Sequence, residues 1–202
     1  MLEPIIICGM GHSGTTAVAR YLGSAPGWRN YTSGIPAHQE LLECQELLHP
    51  TVVDLICVPS GPAVPDGSRG DAIRRICEAE PAIRYVFKRP WIERDPDWCL
   101  GEFDFPSIWL VCVRPFPGCW TSWNKPGSVL GCRLQVNGPI EDGWALWQAQ
   151  MLGAARLIGQ APHAAFVCIE GFARNPRLLD QILSRWGISG DFDSSSVDPT
   201  RL

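Results

Sequence analysis

The opening of the chain constrains it most: Pro4-Ile5-Ile6-Ile7-Cys8-Gly9-Met10-Gly11-His12-Ser13-Gly14-Thr15-Thr16. The apolar run Ile5 to Cys8 has the pattern of a strand buried on both faces of a parallel sheet. It gives way to a loop holding Gly9, Gly11 and Gly14, and then to Thr15–Leu22, which reads as a helix. A strand, a glycine loop and a helix start together form an anion site. Glycines let backbone N–H groups turn inward, and the helix N-terminus adds partial positive charge. The segment therefore predicts a ligand carrying phosphate. The plain alternative is a tight strand-to-helix turn that binds nothing.

The loop follows the pattern G-x-x-x-x-G-K-[ST] except that Thr15 replaces the lysine. That lysine normally reaches the outer phosphates of a nucleoside triphosphate, so its loss argues against ATP or GTP hydrolysis. What is left suits a nucleotide with a 5′-phosphate and another transferable group.

At 202 residues the chain fits one domain, 1–202, with a sizeable core and a polar, loose tail from about Ser189. Its net charge of −4 gives no support to bulk binding of nucleic acid, so an anion site must be local. No apolar run approaches the ~20 residues needed to span a bilayer. The first strand begins near Met1, so no signal peptide is expected. The nine cysteines form no C-x-x-C pair and read as reduced core thiols, which sets the expectation of a cytoplasmic protein. The histidines at 12, 38, 49 and 163 lack ligand spacing, so no metal is expected.

Further along, 23–36 reads as loop, 38–48 as a short helix, 51–58 as an apolar stretch, and 59–70 as a turn-rich loop. Ser68 or Asp71 can cap a helix through Ala79. Ile83–Lys88 is the next strand, followed by a loop at 89–96. Ile108–Val113 is a near-continuous apolar strand, hence central, and it ends at Arg114. Helices follow from about Pro117 to Trp123 and from Ile140 to Ile158, with a long loop between them. Ala164–Ile169 is another buried strand, and Arg177–Trp186 the last helix, stopped by Gly187. Strands separated by helices predict a three-layer α/β/α fold with a central parallel sheet.

Three segments in chain order resemble the sulfotransferase family, which uses 3′-phosphoadenosine 5′-phosphosulfate (PAPS) and releases the 3′,5′-bisphosphate PAP on a P-loop-like fold. Gly11-His12-Ser13-Gly14-Thr15-Thr16 is similar to the family's 5′-phosphosulfate loop, a lysine or arginine followed by S-G-T-T. Arg114, at a strand end, and Ser122, eight positions on, match the family's 3′-phosphate motif. Val167-Cys168-Ile169-Glu170-Gly171-Phe172 looks like the late strand Y-E-D-L. Trp144 and Trp147 suit the family's habit of an aromatic in the long helix. The resemblance covers about residues 4 to 187. A parallel sheet brings the two cofactor motifs to one edge.

The resemblance implies cofactor binding by Gly11, His12, Ser13, Gly14, Thr15 and Thr16 at the 5′ end and by Arg114 and Ser122 at the 3′ end. It implies sulfuryl transfer to a hydroxyl or amine of a small-molecule or carbohydrate acceptor. His12, as imidazolium, would stabilise charge on the bridging oxygen; as neutral imidazole it would donate one hydrogen bond. Lys88 either reaches the sulfuryl oxygens or is a solvated strand-end lysine. In the carbohydrate-type branch the base is a glutamate a short way beyond the loop; Glu40 is the first choice here, His38 the second and Glu93 an outsider. Trp91, Trp98, Trp120 and Trp123 lie where they could stack on an acceptor, with core packing as the alternative. Acceptor-shaping loops are expected at 24–37, 59–70, 89–106 and 125–138.

The sequence departs from the family at four places. His12 replaces the usual lysine or arginine, and Pro115 replaces an aspartate after the arginine. Lys88-Arg89-Pro90 stands where the steroid and phenol branch has K-T-H with its basic histidine, and the tail lacks a basic closing loop. Two other functions remain open: a divergent P-loop kinase, and a bisphosphate-binding protein without turnover.

Overall fold

A computed structural model describes residues 2–11, 13–31, 69–90, 92–125 and 140–198. The expected helix at 38–48, the apolar stretch 51–58 and nearly all of the loops at 59–70 and 125–138 lie outside these residues.

Strand β1, Ile5–Gly9, is buried along its whole length. It pairs in parallel with β3, Arg84–Lys88, on one side and with β4, Ile108–Val113, on the other. β2, Trp28–Tyr31, and β5, Ala164–Cys168, form the edges, giving the order β2-β3-β1-β4-β5 with every neighbouring pair parallel. All four predicted strands start and end within one residue of their expected limits, and Ile108–Val113 matches at both ends. From β1 the chain moves to one side of the sheet and later returns to the other, so a topological switch lies beside β1, where parallel sheets bind ligands beyond their strand C-termini.

Side chains alternate across the sheet, and this parity sorts the core. Ile5, Ile7, Val86, Ile108 and Leu110 pack with Val18 and Leu22 of α1 (Thr15–Gly23). Ile6, Cys8, Phe87, Trp109 and Val111 pack on the opposite side with Ile73 of α2 (Arg69–Ala79), Cys99 of α3 (Pro96–Glu102) and Leu157 of α5 (Ile140–Gln160). A third cluster, Met10, Phe116, Cys119 and Trp123, sits with α4, Phe116–Trp123. Two sheet faces covered by helices make three α/β/α layers, as the strand and helix pattern predicts.

Three expectations are corrected. The loop assigned to 23–36 contains β2, whose sequence Trp-Arg-Asn-Tyr is half-exposed and carries no apolar alternation because the strand lies at the sheet edge. The loop after Lys88 contains a 3-10 turn, Ile92–Arg94, and then α3. Asp95 caps α3 by accepting the Trp98 N–H at 3.1 Å, with Pro96 at the first helical position. The expected buried strand Ala164–Ile169 is a half-exposed edge strand that stops at Cys168, and Ile169 opens an unexpected helix, α6, Ile169–Arg174. The last helix expected at 177–186 is present as α7, Leu178–Ser184.

The described part of the tail, 189–198, packs on the domain rather than lying loose. Phe192 is buried, its ring 5.2 Å from Tyr21 and 4.9 Å from Trp28. The Asp193 N–H donates to Ser24 Oγ at 2.9 Å, and Val197 is buried. A polar tail can be held by two apolar residues, and average polarity does not show them. Of the described cysteines, Cys8, Cys77, Cys99, Cys112 and Cys119 are buried and Cys168 is exposed. Among the described residues, no helix is long and apolar enough to cross a membrane.

Phe192→Ala is expected to cost about 3 kcal/mol by urea denaturation, as for other buried Phe truncations. A loss below about 0.5 kcal/mol, the range of a surface change, would show that the tail is not part of the core.

Candidate active site

The glycine loop starts where β1 ends against β4. Gly9 has φ 138°, and a Cβ there would lie 2.3 Å from the Cys112 carbonyl oxygen, so only glycine fits. Its N–H donates to Glu93 Oε2 at 3.0 Å. Glu93 is almost fully buried on the turn after β3 and is held from behind by α5, where Gly153 leaves room for the Glu93 carbonyl. The carboxylate's charge helps push the Cys8, Cys99 and Cys112 thiols up, although burial is the larger cause for each. Those thiols stay protonated and unreactive.

Beyond Gly9 the loop turns sharply. The Ser13 N–H donates to the Met10 carbonyl at 3.0 Å, and Gly14 adopts φ 78° immediately before α1. No side chain caps α1. Ser13 is buried, and its hydroxyl has no hydrogen-bond partner among the described residues. An uncapped helix start and an orphaned buried hydroxyl are what a bound oxyanion would satisfy.

Lys88 is only 2% exposed, which removes the solvated alternative. It has the parity of Val86 and so points to the α1 side, where its Nζ donates to Thr16 Oγ1 at 2.9 Å. The structure thus brings Lys88 to the helix start that carries Thr15 and Thr16.

Arg114 follows β4 directly. Its backbone carbonyl accepts the Trp147 indole N–H at 3.0 Å. Its stem lies across Gly118, where a Cβ would come within 2.7 Å of Nε. Nε is 3.4 Å from Glu170 Oε1, an ion pair in which the arginine side chain is 19% exposed. Both charges reach Cys119 beneath them. Burial pushes that thiol up to about 12, while Arg114 pulls it down and Glu170 pushes it up. Pro115 starts the turn into α4, its carbonyl accepting the Gly118 and Cys119 N–H groups at 3.0 and 3.2 Å.

Ser122 is buried on α4. Trp123 beside it is fully buried and donates its indole N–H to the Gly11 carbonyl at 3.0 Å. Trp123 is therefore unavailable to an acceptor, and it fastens the glycine loop to the helix that carries Ser122. Trp98 packs edge-on against Phe103, and the Trp120 ring lies against Gly143. His12, His38, Glu40 and Trp91 lie outside the described residues. Glu93, the outsider as base, is engaged under the loop at Gly9 instead.

Sequence reasoning missed the supporting groups: Glu93 as a loop anchor, the indoles of Trp123 and Trp147, and Gln150. The Gln150 amide is buried with neither polar atom hydrogen-bonded among the described residues, and it lines a small cavity with Met10, Glu93 and Arg114. None of these had a signal, because each depends on contacts between distant segments.

No protein-family model matches the sequence, and neither does any curated protein. Solved structures do match. The sulfotransferase domain of the Synechococcus PCC 7002 olefin synthase aligns with TM-score 0.63 and 18% identity, covering 98% of this chain and 77% of that one. The chain has a sulfotransferase fold. A sulfotransferase from Alicyclobacillus acidocaldarius aligns with TM-score 0.54 and 16% identity over 100% of this chain and 89% of its own. STF1 of Mycobacterium tuberculosis H37Rv aligns with TM-score 0.52 and 14% identity, over 94% and 68%. Within the sulfotransferase fold of this chain, the glycine loop and Arg114 both follow strand C-termini beside the topological switch.

Glu93→Ala removes the acceptor of a buried N–H and is expected to destabilise by about 2 kcal/mol, the scale of a hydrogen bond to a charged group. Glu93→Gln keeps an acceptor oxygen and should lose less. Equal losses in denaturant titration would mean that the contact with Gly9 is not what Glu93 supplies.

Proposed function

We propose that this protein is a sulfotransferase that uses PAPS as donor and transfers its sulfuryl group to a hydroxyl or amine of a small-molecule or carbohydrate acceptor. The observation that carries this is the pairing of two anion-suited groups at one sheet edge. The glycine loop and Arg114 leave adjacent strands, and Trp123 ties the loop to the helix after Arg114. The residues present fit a nucleotide with phosphate at both ends. The loop has an orphaned buried hydroxyl and an uncapped helix start for the 5′ side, and Arg114 has a forked cation for the 3′ side.

The chemistry that such a donor supplies is a sulfuryl group on its 5′-phosphate, open to in-line displacement. The chain's part is positioning and charge. Loop amides from Gly11 to Thr16, with the hydroxyls of Ser13, Thr15 and Thr16, hold the 5′-phosphate. Lys88 places a desolvated positive charge beside Thr16, where negative charge grows on the leaving side. His12 adds a hydrogen bond or a charge there, and Arg114 with Ser122 holds the 3′-phosphate. Glu40, or else His38, takes the acceptor's proton.

Thermal shift tests this directly. 3′,5′-Bisphosphoadenosine at 100 times its dissociation constant should add about 2.7 kcal/mol, whereas AMP should add less and ATP with Mg²⁺ should add little. Arg114→Ala should abolish the bisphosphate's advantage over AMP. Stabilisation by Mg-ATP but not by the bisphosphate would favour a divergent kinase. Bisphosphate binding without radiolabelled sulfate transfer to any acceptor in a panel would favour a binding protein without turnover.

A further inference from the structure

Glu170 stands at the start of α6, just past the end of β5, and its carboxylate has contacts on both oxygens. Arg114 Nε is 3.4 Å from Oε1, and the Cys168 thiol is 3.6 Å from Oε2. The glutamate is thereby held between the edge strand and the turn after β4, two segments more than 50 residues apart in sequence. Arg114 is constrained from the other directions too. Its carbonyl accepts from Trp147, and its stem from Cγ to Nε lies on the bare backbone of Gly118. Nε itself is buried, although the side chain as a whole is 19% exposed.

We propose that Glu170 is a positioning residue for the nucleotide's 3′-phosphate: by pairing with Nε it fixes the plane of the Arg114 guanidinium that meets the phosphate. This rests on the bisphosphate reading given above. A guanidinium has five donors in a rigid plane, so two anions can be served from two edges without competing for one. An arginine side chain free in solution loses substantial rotamer entropy when it meets a phosphate, and one already fixed by a carboxylate and a glycine shelf loses less. The opposite arrangement is also physically definite. If the carboxylate occupied the phosphate's own place, it would have to be displaced on binding, and its removal would tighten binding.

The test is isothermal titration of wild type, Glu170→Ala, Glu170→Gln and Arg114→Ala with 3′,5′-bisphosphoadenosine and with AMP. Glu170→Ala is expected to weaken bisphosphate binding about tenfold, the scale of one charge-assisted contact. AMP, which lacks the 3′-phosphate, should bind as to wild type, and this also shows that the variant is folded. Glu170→Gln keeps an oxygen facing Nε and should recover most of the loss. Unchanged or tighter bisphosphate binding by Glu170→Ala, with Arg114→Ala still weakened, overturns the role of Glu170 and leaves the site intact. Bisphosphate binding by Arg114→Ala equal to wild type removes Arg114 from the site, and the proposal with it.

Discussion

The close approach of β1 to β4 at Gly9 is the constraint on which the candidate site depends. With the Cys112 carbonyl 2.3 Å from where a Cβ would be, any side chain would push the strand ends apart. Gly9 also turns the chain through a positive φ and gives its N–H to a buried carboxylate. The loop then closes with the Ser13 N–H on Met10 and hands the chain to α1 through Gly14. Everything the loop offers to an anion follows from that sequence of turns.

The charges around the loop suit the anion site proposed for this acidic chain. Lys88, Arg89 and Glu93 are all buried within six residues of one another on and after β3. Buried charges persist only when they are paired or hydrogen-bonded. Glu93 meets the backbone beneath the loop, and Lys88 meets Thr16 at the mouth of the helix. The negative group is thus on the inner side and the positive group on the side where a phosphate would sit. The overall charge of −4 therefore says little about this edge.

The layers of the fold were legible because Ile5–Cys8 and Ile108–Val113 are near-continuous apolar runs, the pattern of strands buried on both faces, with helical stretches between the strands. The edge strand Trp28–Tyr31 was not, since one neighbour and partial solvent exposure leave no apolar pattern. Gly11 to Thr16 and Arg114 could be picked out because glycine spacing and an arginine at a strand end are local features. Glu93, Trp123, Trp147 and Gly118 could not be, because their roles are contacts with residues far along the chain. Lys88 lay between these cases. Strand parity aims it at α1, and only the fold shows that Thr16 is there.

The central claim is that one nucleotide is held at both ends, and phosphorus NMR of bound 3′,5′-bisphosphoadenosine reads the two ends separately. Both the 3′ and the 5′ resonances should move on binding to wild type, and in Arg114→Ala only the 5′ resonance should move. A wild-type spectrum in which one resonance stays at its free position, or an Arg114→Ala spectrum in which both still move, would contradict it.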